Sequence, residues 1–133
     1  MLSVVQEILI RDSYRRLSLD EEGAGRLFYQ TLFKMYPQVQ PLFQGTEMMG
    51  QGRKLMQMVG AVVASLEDIG AVHKLLADLG RRHDGYGVRP EFYDYVGDAF
   101  ITTLEIYFGD DFTPEIREAW LELYRQVVEM TLV

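Results

Sequence analysis

The sequence predicts an all-α fold. Apolar residues recur every three to four positions in several segments, which is the spacing of one helix face. Glycine and proline separate these segments, and no stretch shows the sustained polar and apolar alternation of a half-buried strand. We therefore expect six to eight helices and no sheet.

Two helices are predicted in the first third of the chain. The first amphipathic segment spans Val4 to about Arg16. Ser18-Leu-Asp-Glu21 has the S-x-x-E pattern of a capping box, which predicts that a second helix begins at this serine. Pro37 ends the apolar face of that helix. The next residues, Gln38-Val-Gln-Pro-Leu-Phe43, are too short and proline-bound for a long helix, so we expect a tight corner with one turn of 3₁₀ helix.

The remaining helices follow from apolar spacing and from proline positions. A long apolar-faced helix is expected to run to about Glu67, and a shorter one follows Gly70 and ends near His83. Pro90 suits the first turn of the next helix, where the missing N–H of proline is not needed. Thr113-Pro114, an N-cap residue followed by proline, opens the last helix.

Composition narrows the class of protein. The chain of 133 residues is the size of one domain, so we expect a single domain over 1–133. The absence of cysteine excludes disulfides and thiolate metal sites. A net charge of −7 disfavours nucleic acid or anionic lipid as the main partner. No apolar run approaches the roughly 20 residues of a membrane span, and no leader pattern is present, so we expect a cytoplasmic protein without a membrane partner.

His83 is the candidate metal ligand of this sequence. It ends an apolar helical segment that contains Leu79, and Gly85 and Gly87 let the chain turn away directly after it. A neutral imidazole is a common nitrogen donor for iron, and haem iron is usually held by one such histidine. Because the only other histidine is His73, a multi-histidine site is not expected, and a metal would arrive inside a cofactor.

Several landmarks occur in an order that resembles the globin family. They are Phe28-Tyr29, Pro41-Leu-Phe43, Gln51-Gly-Arg-Lys-Leu55, Leu79-Gly-x-x-His83 and Tyr86-Gly-Val88. In detail the chain is similar to single-domain bacterial haemoglobins and to the haem domain of flavohaemoglobins, from about residue 5 to residue 132. The resemblance implies the three-over-three helical sandwich of the globin fold. It also implies haem b with its iron as cofactor, and dioxygen, carbon monoxide and nitric oxide as ligands.

The resemblance also implies a role for each landmark. His83 would bind the iron, Tyr29 and Gln51 would be the distal hydrogen-bond donors, and Leu55 would lie above the iron. The positions implied to contact the haem, or in two cases its propionates, are Phe43, Lys54, Leu79, Arg82, Val88, Phe92, Tyr93 and Val96. A tyrosine O–H and a glutamine N–H stabilise a ligand with partial negative charge, each by about 1–3 kcal/mol in a dry pocket. Two such donors predict slow oxygen release.

Reversible binding of diatomic gases, for storage, delivery or sensing, is the function that the resemblance implies. An alternative is an enzyme, a nitric oxide dioxygenase or a nitrite reductase, which takes electrons from a separate NAD(P)H-dependent reductase. A third is a globin-fold signalling or scaffold domain without haem, against which His83 counts. The proximal glutamate of flavohaemoglobins has no match, because Glu129 lies nearly two turns too early, and we expect no flavin or nicotinamide domain.

Each of these residues also has an ordinary structural explanation. Tyr29 suits a core position, Gln51 suits a surface position, and Arg82 near a helix end is stabilising through the helix dipole alone. Tyr29 or Gln51 would also be able to occupy the sixth site of ferric iron, since tyrosine is a known haem ligand. His73 suits a solvated position. The methionines that we expect to fill gaps or lie in loops are Met48, Met49, Met56 and Met58.

Overall fold

The computed structural model describes residues 2–85 and 89–131, without the side chains of residues 69 and 83–85. Regular structure in these ranges is helical, which confirms the all-α prediction. The α-helices are α1 (Val4–Leu17), α2 (Glu21–Met35), α3 (Met48–Ala64), α4 (His73–Gly85), α5 (Pro90–Phe108) and α6 (Pro114–Thr131). Short 3₁₀ helices connect them at Ser18–Asp20, Pro37–Phe43, Leu66–Val72 and Gly109–Asp111.

The start of α2 differs from the prediction that placed a capping box at Ser18. Asp20 is the N-cap, and its carboxylate accepts a hydrogen bond from the backbone N–H of Gly23 at 3.0 Å. Ser18 has helical dihedral angles of φ −67° and ψ −16°, and its hydroxyl donates to the carbonyl of Arg15 at 2.7 Å. Because an N-cap needs a non-helical backbone, Ser18 closes α1 instead of opening α2.

Other predicted boundaries agree more closely with the structure. The expected 3₁₀ corner is present at Pro37–Phe43, and Pro90 lies in the first turn of α5. Thr113 caps α6, because its hydroxyl accepts from the backbone N–H of Ile116 at 3.2 Å. The long helix α3 ends at Ala64, slightly earlier than expected, and a 3₁₀ segment continues it.

The larger hydrophobic core surrounds Trp120 of α6. The indole is 2% exposed, and its Nε1–H donates to the hydroxyl of Ser13 on α1 at 2.9 Å. Ser13 in turn donates to the carbonyl of Leu9 at 2.7 Å. In the described ranges every buried side-chain nitrogen and oxygen has a hydrogen-bond partner, as buried polar groups require.

A second hydrophobic cluster joins α2, the 3₁₀ corner and α5. Its buried members are Phe28, Tyr29, Leu32, Val39 and Ala99. The phenyl ring of Phe28 packs edge to face on Phe100 with ring centroids 6.2 Å apart, and Phe100 also packs against Trp120. The two clusters therefore meet along α5, beside the space between α3, α4 and α6.

Candidate functional site

An apolar cavity of ≈ 190 Å³ lies among the helices. Its walls come from α2 to α6, and the side chains that line it are almost all hydrocarbon or aromatic. The lining residues are Phe28, Leu55, Met58, Val59, Val62, Leu76, Leu79, Tyr93, Val96, Phe100, Trp120, Leu123, Tyr124, Val127, Val128 and Thr131. Such a lining favours a largely apolar ligand, which a few polar groups then orient.

Four of the site residues predicted from the sequence line this cavity. Leu55 lies on α3, Leu79 on α4, and Tyr93 and Val96 on α5. They are far apart in the sequence, and the packing of three helices brings them together. The nominated set contains no residue of α6, although that helix contributes the lining residues from Trp120 to Thr131. The signal for them was the apolar stripe of α6, which alone does not distinguish a core from a cavity wall.

The nominated distal residues, Tyr29 and Gln51, form a hydrogen-bonded pair. Gln51 Nε2 donates to the hydroxyl oxygen of Tyr29 at 3.2 Å, so the phenol acts as acceptor and keeps its own O–H proton for a further partner. Tyr29 is 8% exposed, whereas Gln51 is half-buried. The pair therefore presents one phenolic donor from the protein interior and one amide nearer the surface.

Burial sets the ionisation of Tyr29. Desolvation raises the pKa of the phenol above its ordinary value of 10.0, and the hydrogen bond from Gln51 opposes this rise. The phenol consequently stays protonated at neutral pH. A protonated phenol is a hydrogen-bond donor, so the site offers an O–H group and no negative charge.

Leu55 connects the distal pair with the cavity. It packs against the cluster that contains Phe28 and Tyr29, and it also lines the cavity. The ring of Phe43 packs edge to face on Tyr29, with ring centroids 5.3 Å apart, but neither of these two residues lines the cavity. The aromatic ring of Tyr29 is thus packed against Phe28 and Phe43, which limits the positions that its hydroxyl can take.

Tyr124 of α6 is one of the residues that line the cavity. Its hydroxyl donates to the backbone carbonyl of Tyr93 on α5. Its ring lies against Gly97, where an added Cβ would come within 2.6 Å of the ring atom Cε2. Desolvation raises the pKa of the Tyr124 phenol, and nearby Asp94 adds to the rise. Glycine at this position lets α5 and α6 approach each other across the tyrosine ring.

Three nominated residues lie elsewhere. Phe92 is half-buried, and its ring lies tilted against Tyr95 with centroids 5.6 Å apart. Lys54 is exposed on α3, and Arg82 is exposed on α4, where it lines a shallow depression with Leu75 and other α4 residues.

The nominated metal ligand belongs to α4, a helix whose Leu76 and Leu79 line the cavity. His83 lies in the last turn of this helix, but its side chain is outside the described part of the chain, as is Val88 entirely. His73 is exposed at the start of α4, as expected.

None of the helices in residues 2–85 and 89–131 combines the length and apolar character that crossing a bilayer requires.

Comparison with known proteins identifies a family. The sequence profile of the family described as Globin matches residues 26–131. The chain is 29% identical to neuroglobin of Tetraodon nigroviridis over 140 aligned positions, which cover 96% of this chain and 88% of the relative. The neuroglobins of Dissostichus mawsoni and Danio rerio match with the same identity and the same coverage. These relatives are vertebrate proteins, and no bacterial globin is among them.

Proposed function

Because the chain belongs to the globin family, we propose that it reversibly binds dioxygen and other diatomic gases at a haem b held in the apolar cavity. The observation that carries this proposal is the Tyr29–Gln51 hydrogen bond together with the apolar cavity, because Leu55 both lines the cavity and packs against the cluster that contains Tyr29. A haem would supply the iron to which the gas binds. The chain would supply the walls, the iron ligand and the donors.

The lining of the cavity suits a largely apolar cofactor. Leu55 and Val59 of α3 form one wall of the cavity, and Leu76 and Leu79 of α4 form another. The lining side chains carry no formal charge, so nothing in them would oppose burial of an apolar ring. Val96 of α5 would add a further apolar contact to the cofactor.

We assign the iron ligand to His83. It follows Leu79 by four positions and Leu76 by seven on α4, and residues at this spacing share one face of a helix. Both leucines line the cavity, which supports this assignment. The exposed cations Lys54 and Arg82 would pair with the carboxylates of the cofactor at the protein surface. Phe43, Val88, Phe92 and Tyr93 would complete the contacts.

Tyr29 and Gln51 would set the dissociation rate of the bound gas. Tyr29 keeps its O–H proton while it accepts from Gln51, so a polar ligand near the phenol would receive a hydrogen bond at once. This arrangement favours dioxygen over the less polar carbon monoxide. It is also the arrangement on which the resemblance to bacterial single-domain haemoglobins rests.

Nitric oxide dioxygenation is the second candidate function, and the same observation favours it. Donors that hold a bound dioxygen would also hold it for reaction with nitric oxide, so both functions would use Tyr29 and Gln51. The enzyme would need electrons from a separate reductase. Sustained consumption of nitric oxide with NADH and a purified flavin reductase would support it, and a single turnover would support a carrier.

Absorption spectroscopy of the purified protein tests the main proposal. Spectra of the ferric, dithionite-reduced, oxygenated and carbon monoxide forms would be recorded for the wild type, His83→Ala and His73→Ala. His73 is the matched control, because it is an exposed histidine at the other end of α4. We expect the spectra of a histidine-ligated globin in the wild type and in His73→Ala, and their loss in His83→Ala.

Two results would contradict the proposal. A helical protein that takes up no haem would show that the cavity does not hold this cofactor. Unchanged spectra in His83→Ala would show that another residue binds the iron.

A further inference from the structure

Tyr36 and Asp98 form a short hydrogen bond outside the cavity. Tyr36 is the C-cap residue of α2, and its hydroxyl donates to Oδ2 of Asp98 on α5 at 2.6 Å. Hydrogen bonds from a hydroxyl to a carboxylate at this distance are among the strong ones in proteins. The phenol proton therefore already points to a base that can receive it.

A second tyrosine lies directly against this phenol. The rings of Tyr36 and Tyr95 are stacked, with centroids 4.4 Å apart and an angle of 20° between their planes. The hydrogen bond to Asp98 raises the pKa of Tyr36, with smaller contributions from desolvation and from the charges of Asp98, Tyr95 and Asp94. The phenol thus remains protonated at neutral pH, and its ring is in contact with a second oxidisable ring.

Tyr95 and Asp98 lie on the same helix as one wall of the cavity. Tyr93, Val96 and Phe100 of α5 line the cavity. Tyr95 and Asp98 alternate with them along α5 and contact the end of α2 instead. The diameter of one helix with its side chains is about 10 Å, so the pair lies roughly that far from the cavity.

We propose that Tyr36 is a proton-coupled one-electron donor, with Asp98 as its proton acceptor and Tyr95 as the stacked ring through which the electron leaves. When Tyr36 is oxidised, its O–H bond breaks and the proton forms an O–H bond with Oδ2 of Asp98. The electron passes to the oxidant, and a neutral phenoxyl radical remains. Without a base in place, the oxidised phenol would carry a positive charge, which is much less favourable near an apolar cluster.

The oxidant would be a haem that hydrogen peroxide has oxidised, so this part of the inference rests on the proposed function. Two electrons and two protons reduce one hydrogen peroxide to two waters. Tyr36 would deliver the electrons one at a time. After each step an enediol reductant such as ascorbate would give one electron to the phenoxyl oxygen, and this oxygen would take back the proton held by Asp98. Each ascorbate that loses one electron also releases one proton, so two ascorbates would supply the two electrons and the two protons. The partial exposure of Tyr36 gives such a reductant access.

Photo-oxidation of the full-length chain tests the donor directly. Light and persulfate would generate tris(bipyridine)ruthenium(III), and freeze-quench electron paramagnetic resonance would measure the tyrosyl radical that forms. The variants are Tyr36→Phe, which keeps the stack, and Asp98→Asn, which keeps an acceptor oxygen but cannot take the proton. Tyr107→Phe is the control, because the Tyr107 hydroxyl bonds only weakly to the carbonyl of Arg16 at 3.4 Å.

We expect Tyr36→Phe to remove most of the radical. Asp98→Asn should slow its formation about tenfold, the factor for replacing a hydrogen bond to a carboxylate with a weaker one to an amide oxygen. Tyr107→Phe should leave the yield unchanged. Circular dichroism would verify that each variant is folded. A radical yield that is unchanged in Tyr36→Phe, an Asp98→Asn rate equal to the wild type, or an equal loss in Tyr107→Phe would overturn the proposal.

A second experiment connects the donor with the cofactor. Haem-loaded protein would be mixed with hydrogen peroxide and ascorbate, and ascorbate oxidation would be followed. We expect Tyr36→Phe and Asp98→Asn to slow it, while the absorption spectrum of the bound haem stays unchanged. The photo-oxidation needs no haem. A protein that binds no haem would therefore still form the Tyr36 radical, whereas a protein in which Tyr36 is not the donor would bind haem and show no effect of Tyr36→Phe on the radical yield. Equal ascorbate oxidation in all variants would contradict the connection to the cavity.

Discussion

Gly25 of α2 and Gly52 of α3 lie in direct backbone contact, and a Cβ on Gly25 would be 2.6 Å from the carbonyl oxygen of Gly52. Gly25 precedes Tyr29 by one helical turn, and Gly52 directly follows Gln51. The glycine contact therefore sets the spacing of the two helices that carry the hydrogen-bonded pair.

Gly25→Ala should force α2 and α3 apart. The free energy of unfolding should fall by about 1–3 kcal/mol, the usual cost of overpacking, although alanine is the better helix former by about 1 kcal/mol. Gly52→Ala should cost less, because its Cβ would lie 3.2 Å from the carbonyl carbon of Gly25. Urea denaturation would measure both, with Gly70→Ala as control, where the added Cβ meets only Asp68 Oδ1 at 3.6 Å. A Gly25→Ala protein as stable as the wild type would contradict this prediction.

Removal of either distal donor should speed the release of oxygen from the haem-loaded protein. Tyr29→Phe deletes the phenolic O–H, and Gln51→Leu deletes the amide that donates to it at 3.2 Å. We expect the oxygen dissociation rate to rise about tenfold for Tyr29→Phe, since one such bond contributes roughly 1.4 kcal/mol. Carbon monoxide release should change less, because that ligand is less polar.

Stopped-flow ligand displacement measures these rates. Gln57→Leu is the matched control, because Gln57 is an exposed glutamine on the same helix. Oxygen release at the wild-type rate in both Tyr29→Phe and Gln51→Leu would show that the pair does not contact the ligand.

Substitutions at the start of α2 compare the two candidate caps. Asp20→Ala removes the carboxylate that accepts from the Gly23 N–H, so the free energy of unfolding should fall by about 1 kcal/mol. Ser18→Ala removes a bond to the carbonyl of Arg15 and should change stability by less than about 0.5 kcal/mol. Thermal and urea denaturation would measure both. A larger loss of stability in Ser18→Ala than in Asp20→Ala would contradict this prediction and would support the capping box at Ser18 that the sequence pattern predicts.

Alkaline pH should weaken the fold through Tyr124. Its pKa in the folded protein is raised above the ordinary value of 10.0, mainly by burial. Below pH 10 the phenol is protonated in both states, and its contribution to stability is complete. As the pH rises above 10, only the unfolded chain loses the proton, so the free energy of unfolding falls.

The variant Tyr124→Phe tests this pH dependence. It should be less stable at neutral pH, because it loses the hydrogen bond to the carbonyl of Tyr93, but it should lose less further stability above pH 10. Urea denaturation at several pH values would measure both effects. An identical alkaline slope in wild type and variant would show that Tyr124 does not cause the loss.

Much of the secondary structure followed from local chemistry. Pro37 lacks an N–H and ends a helix, Pro90 suits a first turn, and Thr113 caps α6 through its own hydroxyl, so each boundary depends on neighbouring residues. The predicted start of α2 was wrong, because local chemistry left two candidates for the N-cap. Ser18 and Asp20 both have capping side chains, and only the backbone angles that the packed chain adopts decided between them.

The sequence by itself determined that the chain is helical, and it pointed to Tyr29, Gln51 and Leu55 as residues of one site. Only the tertiary structure decided that Tyr29 and Gln51, 22 positions apart, are hydrogen-bonded, and that α6 closes the cavity. Helix formation depends mainly on groups within about one turn, which the sequence displays directly. A cavity depends on the distances between helices, and contacts such as that of Gly25 with Gly52 set those distances only after the chain has packed.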